Sequence, residues 1–424
     1  MKILFVTPQP PFPPKKGTTL RNAALIAEAA RRHDVHLLTV GDDARSAPLG
    51  LDSSLPEERG AGNERFPRIP TDVVPPPQRT LVRRLGDLVG GSLPDLALRL
   101  RSPAAHARFI ALLRELRPDI VQFEAVEAAG AVGPLGEAVR AAGVRPRFVY
   151  DAHNAEFALQ ERIWRTEIGD LRRWPLAAYS IVQWRRLRRW EAGLCRVSEV
   201  IAVSEGDAAR LAGLAGVCPV VIPNGVDTDV YTPAPSGPVL DSAAPRLLFV
   251  GTLDFRPNVD AVRWFAREAL PLIVEEYPGA RFVVAGRDPV PSVRALAGPH
   301  IEVVGPVEDE RPLMQAASIY VVPLRSGGGM RFKVVQAMAA GVPVVSTTFG
   351  MEGVSARHGE HVLTADTPAA FLEAIRRTLS DPEASRKRVE RARALVVERY
   401  DWRAILPAIH TLYDRLAAAA GARR

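Results

Sequence analysis

Short apolar runs alternate with longer helical patterns along most of the chain, and this alternation limits the possible folds more than any other sequence feature. Residues 3–7 and 35–40 have the apolar, β-branched composition of buried strands, and residues 19–32 between them follow helical spacing. The same strand–turn–helix order begins again at residues 246–250, which are followed at once by Gly251. Because alternating strands and helices build parallel sheets covered by helices, the pattern predicts an α/β fold with two doubly wound domains.

A proline-rich stretch separates the two series. Residues 233–245 contain four prolines among small residues, which is typical of a linker. The predicted N-terminal domain therefore covers residues 1–232, and the predicted C-terminal domain covers residues 246–400. From about residue 41 to 105 the regular pattern gives way to polar, proline-rich and arginine-rich pieces, so an irregular insertion with short helices is predicted there.

Composition excludes several classes of protein. Two cysteines, Cys195 and Cys218, cannot form a disulfide framework or a multi-cysteine metal site, and they fit a reducing compartment. The apolar run after Lys2 is shorter than the roughly 7–15 residues of a signal peptide, so a cytoplasmic protein is expected. No run approaches the roughly 18 apolar residues of a spanning helix. The net charge of +7 suits phosphorylated substrates or anionic lipid, and no motif for binding nucleic acid accompanies it.

The strongest candidate for a ligand site is a glycine-rich loop between the predicted strand at residues 319–322 and the next helix. Its glycines let the backbone approach a ligand closely, and the helix N-terminus offers free N–H groups to an anion. Two cations follow in the first turn, so the loop is predicted to bind a diphosphate. The alternative is a surface helix with solvated cations. The candidate residues are Gly327, Gly328, Gly329, Met330, Arg331 and Lys333.

Several segments, in the same order along the chain, resemble glycosyltransferases of family 4, the glycosyl transferase group 1 type. Residues 337–346, AMAAGVPVVS, are similar to the stretch after the second glutamate of that family's Glu-x7-Glu motif. The resemblance implies the GT-B fold, in which two Rossmann-like domains face each other across a cleft. The other similar segments are residues 14–21, 151–154, 203–205, 222–227 and 249–251.

The resemblance also implies a chemistry and roles for individual residues. A sugar would move from a nucleotide-diphosphate sugar, with retention of anomeric configuration, to a cell-envelope, lipid-linked or polysaccharide acceptor. His153 would act at the donor sugar, Gln336 would bind the ribose, and Gly17 would lie in a loop near donor and acceptor. No metal or other cofactor is expected, because protein cations and helix dipoles would carry the charge of the leaving diphosphate. Residues 401–424 would form a helix that returns to the N-terminal domain.

The sequence departs from this family pattern at four positions. The two glutamates of the motif, and an arginine and a lysine after the first strand of the C-terminal domain, are replaced by Gly328, Gln336, Thr252 and Asn258. Arg256 is close to the last two but out of register, and it is kept as a candidate for donor binding. We expect Arg331 and Lys333 to carry the diphosphate charge instead.

These departures leave two alternatives of the same architecture. A non-catalytic nucleotide-sugar-binding protein would explain the loss of both glutamates and of the usual cations. A nucleotide-sugar 2-epimerase would share the fold but not the similarity at residues 327–346. Release of a nucleoside diphosphate separates transfer from binding alone.

Four further sequence features need an interpretation. Three of them allow two interpretations, and the fourth, Ser204, has a structural one. Arg21 either orients the proline-rich loop before it or forms a surface ion pair, and Glu352 either supports the glycine loop or pairs with an arginine. Ser204 is predicted to cap a helix beginning at Glu205. Residues 161–196 are tryptophan- and arginine-rich. They fit either an interfacial helix on an anionic membrane or a domain helix packed on the core, through Ile181, Trp184, Leu187, Trp190 and Leu194.

Overall fold

The chain forms two compact units in the computed structural model, which describes residues 1–14, 17–41, 68–168, 174–327 and 331–421. The first unit comprises Met1–Pro223 and Leu406–Arg424, and the second comprises Asn224–Ile405. By this division, residues 233–245, the predicted linker, lie within the second unit. None of the helices in the described ranges is long and apolar enough to span a membrane.

The first unit is built on a parallel sheet that has seven strands within the described residues. They are β1 (Lys2–Thr7), β2 (Asp34–Val40), β3 (Thr71–Val74), β4 (Ile120–Glu124), β5 (Arg147–Ala152), β6 (Glu199–Ala202) and β7 (Val220–Val221). Their order across the sheet is β3-β2-β1-β4-β5-β6-β7, with all neighbours parallel. The order changes direction between β1 and β4, the switch point where ligands bind in such sheets.

Helices cover both faces of this sheet. They are α1 (Gly17–Ala30), α2 (Leu81–Gly90), α3 (Asp95–Leu98), α4 (Pro103–Leu116), α5 (Val126–Ala131), α6 (Leu135–Ala142), α7 (Glu156–Ile168), α8 (Trp174–Val197) and α9 (Glu205–Ala215). The predicted cap of α9 is confirmed, since the Ser204 hydroxyl accepts a hydrogen bond from the Asp207 N–H at 3.1 Å. Ser102 caps α4 in the same way.

The predicted insertion contains a strand that its sequence does not reveal. β3 pairs along its full length with β2, at the edge of the sheet. Four residues are too few to show the alternation of a strand, so only pairing with β2 defines it. The short helices predicted in this region are present as α2 and α3, and residues 42–67 lie outside the described ranges.

The tryptophan-rich segment forms an antiparallel pair of helices, α7 and α8, in the first unit. Leu187 and Leu194 of α8 are buried in the core, and Trp190 packs against it. The rings of Trp184 and Trp164 lie 5.7 Å apart. The apolar face of α8 therefore packs against protein atoms, and the interpretation as a domain helix is confirmed for this face.

The second unit repeats the architecture on a sheet that has six parallel strands within the described residues. They are β8 (Arg246–Val250), β9 (Arg281–Ala285), β10 (Ile301–Gly305), β11 (Ile319–Val322), β12 (Val344–Ser346) and β13 (Leu363–Thr364). The order β10-β9-β8-β11-β12-β13 places the switch point between β8 and β11. Separate apolar cores lie on the two faces of this sheet. The predicted pair of doubly wound domains is therefore confirmed.

The helices of the second unit connect these strands, and the last helix of the chain belongs to the first unit. The helix predicted at residues 259–275 forms as α10 (Arg256–Trp264) and α11 (Leu270–Glu276), with a π-helical turn at Phe265–Ala269 between them. The other helices are α12 (Pro291–Arg294), α13 (Arg311–Gln315), α14 (Phe332–Ala339), α15 (Pro368–Ser380), α16 (Pro382–Arg399), α17 (Trp402–Ile405) and, in the first unit, α18 (Pro407–Gly421).

Candidate functional site

The first candidate site lies at the carboxyl ends of β4 and β5, beside the switch point of the first unit. Glu124 and Asp151 are direct partners in the β4–β5 ladder, so their side chains share one face of the sheet. His153 follows two residues after Asp151. Its Nε2 atom lies 3.4 Å from Asp151 Oδ2 and 3.5 Å from Glu124 Oε2. The structure therefore places the predicted His153 between two carboxylates.

Arg21 of α1 neutralises Asp151. Its Nε and Nη2 atoms donate hydrogen bonds to the two carboxylate oxygens at 2.7 and 2.6 Å, and Nη1 donates to the Ile222 carbonyl at 2.9 Å. Arg21 is only 1% exposed, so the interpretation as a surface ion pair is wrong. Burial alone would raise the pKa of Asp151, but the guanidinium and the nearby His153 hold it well below its ordinary value.

Glu124 and His153 shift each other's titration. Burial and the Asp151 carboxylate raise the pKa of Glu124 to about 7, although His153 opposes this change. Burial lowers the pKa of His153, but hydrogen bonds with Asp151 and Glu124 outweigh it and raise the pKa to about 9. Between these two values Glu124 is ionised while His153 carries a proton. We call Arg21, Glu124, Asp151 and His153 the His153 cluster.

The His153 cluster also has the composition of a metal site. One ligand atom each from Glu124, Asp151 and His153 lie within 4.8 Å of one another. However, both oxygens of Asp151 accept hydrogen bonds from Arg21, so a metal ion would compete with the guanidinium for this carboxylate. Two cations and two carboxylates balance in charge, so we interpret the group as an ion cluster.

The second candidate site lies in the second unit, where the glycine loop connects β11 to α14. Gly327 has a φ of +115°, and a Cβ at this position would lie 3.4 Å from Pro257 and 3.5 Å from an Arg331 guanidinium nitrogen. Glycine therefore suits both the conformation and the close packing here. The Arg331 guanidinium lies over the Phe349 ring, 5.0 Å from its centre. Three predicted site residues, Gly328, Gly329 and Met330, fall outside the described ranges.

A chain of polar contacts runs from α14 to the loop after β10. Gln336 Nε2 donates a hydrogen bond to the Tyr231 hydroxyl at 2.5 Å, and Tyr231 donates to Glu310 Oε1 at 2.9 Å. Lys333, in the first turn of α14, forms an ion pair with the same Glu310 oxygen. Burial and the Glu310 carboxylate raise the pKa of Tyr231, so its hydroxyl keeps its proton.

Gln336 has a buried hydrogen-bond acceptor that none of the described residues uses. The residue is 2% exposed, and its Oε1 atom has no hydrogen-bond partner among the described residues. Because Tyr231 engages Nε2, the amide is held with Oε1 as the remaining polar atom. A buried acceptor of this kind costs about 1–3 kcal/mol unless a donor reaches it. We call Tyr231, Glu310, Lys333 and Gln336 the Gln336 site.

The other predicted residues lie at the starts of helices. Arg256 is exposed at the first position of α10, and Gly17 is exposed at the first position of α1, one turn before Arg21. Asn258 and Thr252, which stand where the similar family has cations, bind each other: Asn258 Nδ2 donates to the Thr252 carbonyl at 2.9 Å. These two residues therefore brace the turn after β8.

Tyr231, Glu310 and Glu124 were not predicted from the sequence. Tyr231 precedes the proline-rich stretch, and Glu310 lies in the loop before α13, so no sequence pattern links either residue to the glycine loop. Glu124 did leave a signal. It is a charged residue that ends an apolar strand, Ile120–Glu124, and such a residue at a switch point is a candidate for function.

Family models match most of the chain. Residues 16–230 match the model described as Glycosyltransferase Family 4, and residues 244–381 match the one described as Glycosyl transferases group 1. A curated relative, the phosphatidyl-myo-inositol mannosyltransferase of Mycobacterium leprae, is 31% identical over 205 residues. That match covers 47% of this chain and 54% of the relative, so the chain spans about half the length of the curated relatives it matches.

Solved structures of similar fold cover nearly the whole chain. Anabaena HepE, in a complex with UDP, superposes with a TM-score of 0.65 at 17% identity, over 98% of this chain and 100% of HepE. Sucrose-phosphate synthase from Thermosynechococcus elongatus superposes with a TM-score of 0.70 at 18% identity, over 99% and 100%. At such identities the likeness shows the fold.

Proposed function

Because the chain belongs to glycosyltransferase family 4, we propose that it transfers a sugar from a nucleotide-diphosphate sugar to a cell-envelope, lipid-linked or polysaccharide acceptor. We further propose that the anomeric configuration is retained and that no metal takes part. The observation that carries the proposal is the buried Oε1 atom of Gln336, which has no hydrogen-bond partner among the described residues and belongs to the helix at whose start Arg331 and Lys333 stand. That arrangement suits a ligand with a hydroxyl group and a nearby anion.

In this proposal the Gln336 site binds the nucleotide. Gln336 Oε1 accepts a hydrogen bond from a ribose hydroxyl, which supplies the donor that the buried acceptor lacks. Arg331 and Lys333 bind the diphosphate, assisted by the positive N-terminal end of α14. Lys333 exchanges Glu310 for phosphate oxygens as the donor enters. Gly17, Gly327, Gly328, Gly329, Met330 and Arg256 stay predicted donor contacts.

His153 acts on the sugar in this proposal. The imidazolium donates a hydrogen bond to a sugar hydroxyl or to the oxygen that gains charge, while Asp151 and Glu124 hold its orientation. The bond between the anomeric carbon and the diphosphate oxygen breaks, and a bond to the acceptor oxygen forms. The acceptor's hydroxyl proton leaves with the nucleoside diphosphate or passes to water.

A lipid-linked acceptor fits two observations. The curated relative from Mycobacterium leprae is named for transfer to phosphatidyl-myo-inositol. Trp174 and Leu176, at the start of α8, are 56% and 55% exposed, and exposed apolar side chains of this kind suit contact with a membrane surface. We therefore propose a cytoplasmic enzyme that contacts the membrane surface peripherally.

A donor screen tests the proposal directly. Thermal shift and nucleoside-diphosphate release would be measured with UDP-, GDP-, ADP- and dTDP-sugars, with and without membrane extract. Stabilisation by one donor, with release that needs the extract, supports transfer to a glycan or lipid acceptor. Stabilisation without release in any condition supports a nucleotide-sugar-binding protein instead, and no stabilisation contradicts a donor site around Gln336.

Lys333→Ala is the sharpest variant for this screen. Loss of a cation from the diphosphate site should lower release at least about 100-fold, as for other groups that stabilise charge in a transition state. The matched control is Lys387→Ala, because Lys387 also pairs with a glutamate in the second unit, Glu383, at 2.6 Å. The control should retain full release. Near-normal release by Lys333→Ala would contradict its role at the diphosphate.

A further inference from the structure

We infer that Tyr413 and Gln122 are positioning residues that act on His153 through Glu124. The inference rests on the proposed function for its effect on transfer, but the arrangement itself is a property of the first unit. Tyr413 belongs to α18 and Gln122 to β4, and neither is among the residues predicted from the sequence. We call Tyr413, Gln122 and Glu124 the Tyr413 relay.

The relay is continuous and buried. The Tyr413 hydroxyl donates a hydrogen bond to Gln122 Oε1 at 2.6 Å, and Gln122 Nε2 donates to Glu124 Oε1 at 2.8 Å. The other carboxylate oxygen, Oε2, lies 3.5 Å from His153 Nε2. All three relay side chains are fully buried. Because Gln122 and Glu124 alternate along one strand, they share a face of the sheet and can meet.

The two hydrogen bonds of the Tyr413 relay are donated in one direction, from Tyr413 toward Glu124. Burial, together with the charges of Glu124 and Asp151, raises the pKa of the Tyr413 hydroxyl, which therefore keeps its proton and donates. An amide that accepts at Oε1 must present its N–H groups to the next residue, so Gln122 donates to Glu124. A donor at this point favours the ionised carboxylate. Without the Tyr413 hydroxyl, the amide is free to turn its oxygen toward Glu124 and favour the protonated acid.

The charge of Glu124 contributes, with that of Asp151, to how His153 is held. The charged groups near His153 come from four elements: Arg21 of α1, Glu124 of β4, Asp151 of β5 and Glu156 at the start of α7. The side-chain amide of Asn22 on α1 also lies in this group, close to both Glu124 Oε2 and His153 Nε2. Arg21 already neutralises Asp151, so Glu124 is the carboxylate whose charge balances the imidazolium. An ionised Glu124 therefore keeps His153 protonated and in place.

A histidine titration followed by NMR tests the relay without any substrate. The full chain would be labelled with 15N at the histidine side chains, and His153→Gln would identify the His153 signals among those of the eight histidines. In the wild type we expect His153 to titrate near pH 9. In Tyr413→Phe its midpoint should fall by about one pH unit, and in Glu124→Gln by more, since each variant weakens the charge that holds the proton.

The matched control is Tyr150→Phe. Tyr150 is also fully buried in the first unit, and its hydroxyl also donates to a side chain, Glu191, at 3.0 Å. Tyr150 is the neighbour of Asp151 on β5, and consecutive strand residues point to opposite faces, so Tyr150 lies on the opposite face of the sheet from the His153 cluster. This variant should leave the His153 midpoint unchanged. Equal midpoints in the wild type and Tyr413→Phe would overturn the relay, whatever happens to activity.

The pH dependence of transfer separates the relay from the proposed function. If both hold, activity should fall on the alkaline side as His153 loses its proton. That fall should move to lower pH in Tyr413→Phe by the same amount as the NMR midpoint. In the wild type, activity should also fall on the acid side, near pH 7, where Glu124 becomes protonated. Glu124→Gln should show the larger shift on the alkaline side and should not show this acid-side fall. A shifted NMR midpoint with an unshifted activity profile would support the relay and overturn the role of His153 in transfer.

Discussion

In the His153 cluster four ionisable groups bind one another, whereas at the Gln336 site a buried acceptor has no partner among the described residues. Arg21 and Asp151 are both buried and form an ion pair with each other. Lys333, in contrast, has a side chain that is 38% exposed, and its one described partner is Glu310. The charges of the first arrangement are balanced by its own residues, whereas in our proposal a ligand supplies the donor that the second arrangement lacks.

This difference separates two ways of building a site. A buried set of balanced charges fixes an orientation before substrate arrives, and its loss is felt mainly as lost stability. A site with an unused acceptor and an exposed cation contributes little to stability but supplies interactions to a ligand. Variants in the two places should therefore differ in which measurement they change, and three predictions test this.

The largest effect is expected for Arg21→Met. Removal of the guanidinium leaves the Asp151 carboxylate buried without its partner, which should cost about 3–5 kcal/mol of unfolding free energy. The double variant Arg21→Met/Asp151→Leu should recover much of the loss, because replacement of a whole buried pair by apolar groups is often nearly neutral. Urea unfolding monitored by circular dichroism would measure both.

The control for this prediction is an exposed pair in the same unit. Arg415 and Glu199 lie 3.0 Å apart, with side chains 57% and 42% exposed. Arg415→Met should change the unfolding free energy by less than about 1 kcal/mol. A loss as small as this in Arg21→Met would show that the buried Asp151 carboxylate does not depend on Arg21 as its partner.

A smaller effect, in binding, is expected for Gln336→Leu. The variant loses one hydrogen bond to Tyr231 but also removes the unpartnered acceptor, so the unfolding free energy should change by less than about 1 kcal/mol. Donor affinity should fall about tenfold, because a bound ribose hydroxyl loses its acceptor. Calorimetric titration with the donor found in the screen would measure the affinity.

Gln315→Leu is the control for the glutamine. Gln315 is an exposed glutamine of the same unit, on α13, and its contact with the Thr232 carbonyl is long, at 3.5 Å. It should bind the donor as the wild type does. Unchanged donor affinity in Gln336→Leu, or a large loss of stability, would mean that Oε1 does not receive a ligand.

The smallest effect concerns the stability of Lys333→Ala. Its ion pair with Glu310 is partly exposed, so the loss of this pair should lower the unfolding free energy by less than about 1 kcal/mol, even though nucleoside-diphosphate release is expected to collapse. Thermal and urea unfolding of the purified variant would check this. A destabilisation comparable with that of Arg21→Met would remove the contrast between the two sites.

Sequence patterns were sufficient for the architecture because periodicity is a local property. Residues 3–7 and 246–250 show the composition of buried strands, and the glycine loop shows its own conformational demand. The four residues of β3 show no such local pattern, because an edge strand this short is defined by its pairing with β2. Its hydrogen bonds, and not its composition, make it a strand.

Candidate site residues could be predicted only where a motif marks them. His153 and Gln336 lie in segments that resemble known ones. In the structure His153 lies beside Asp151 and Glu124, and Gln336 contacts Tyr231. Tyr231, Glu310 and Tyr413 reach their partners only through packing within each unit. The sequence separation is 105 positions for Tyr231–Gln336, 23 for Glu310–Lys333 and 291 for Tyr413–Gln122. A single sequence holds no record of such distant pairs.

The position of α18 gives the first unit an unusual order of assembly during translation. The chain completes Met1–Pro223, then makes the whole of Asn224–Ile405, and only then supplies the helix that belongs to the first unit. At the usual pace of synthesis, Gln122 waits roughly 15 to 60 s for the hydroxyl of Tyr413. Until that moment a nascent first unit exposes the surface that α18 covers, so this surface is where a chaperone on the ribosome would find it.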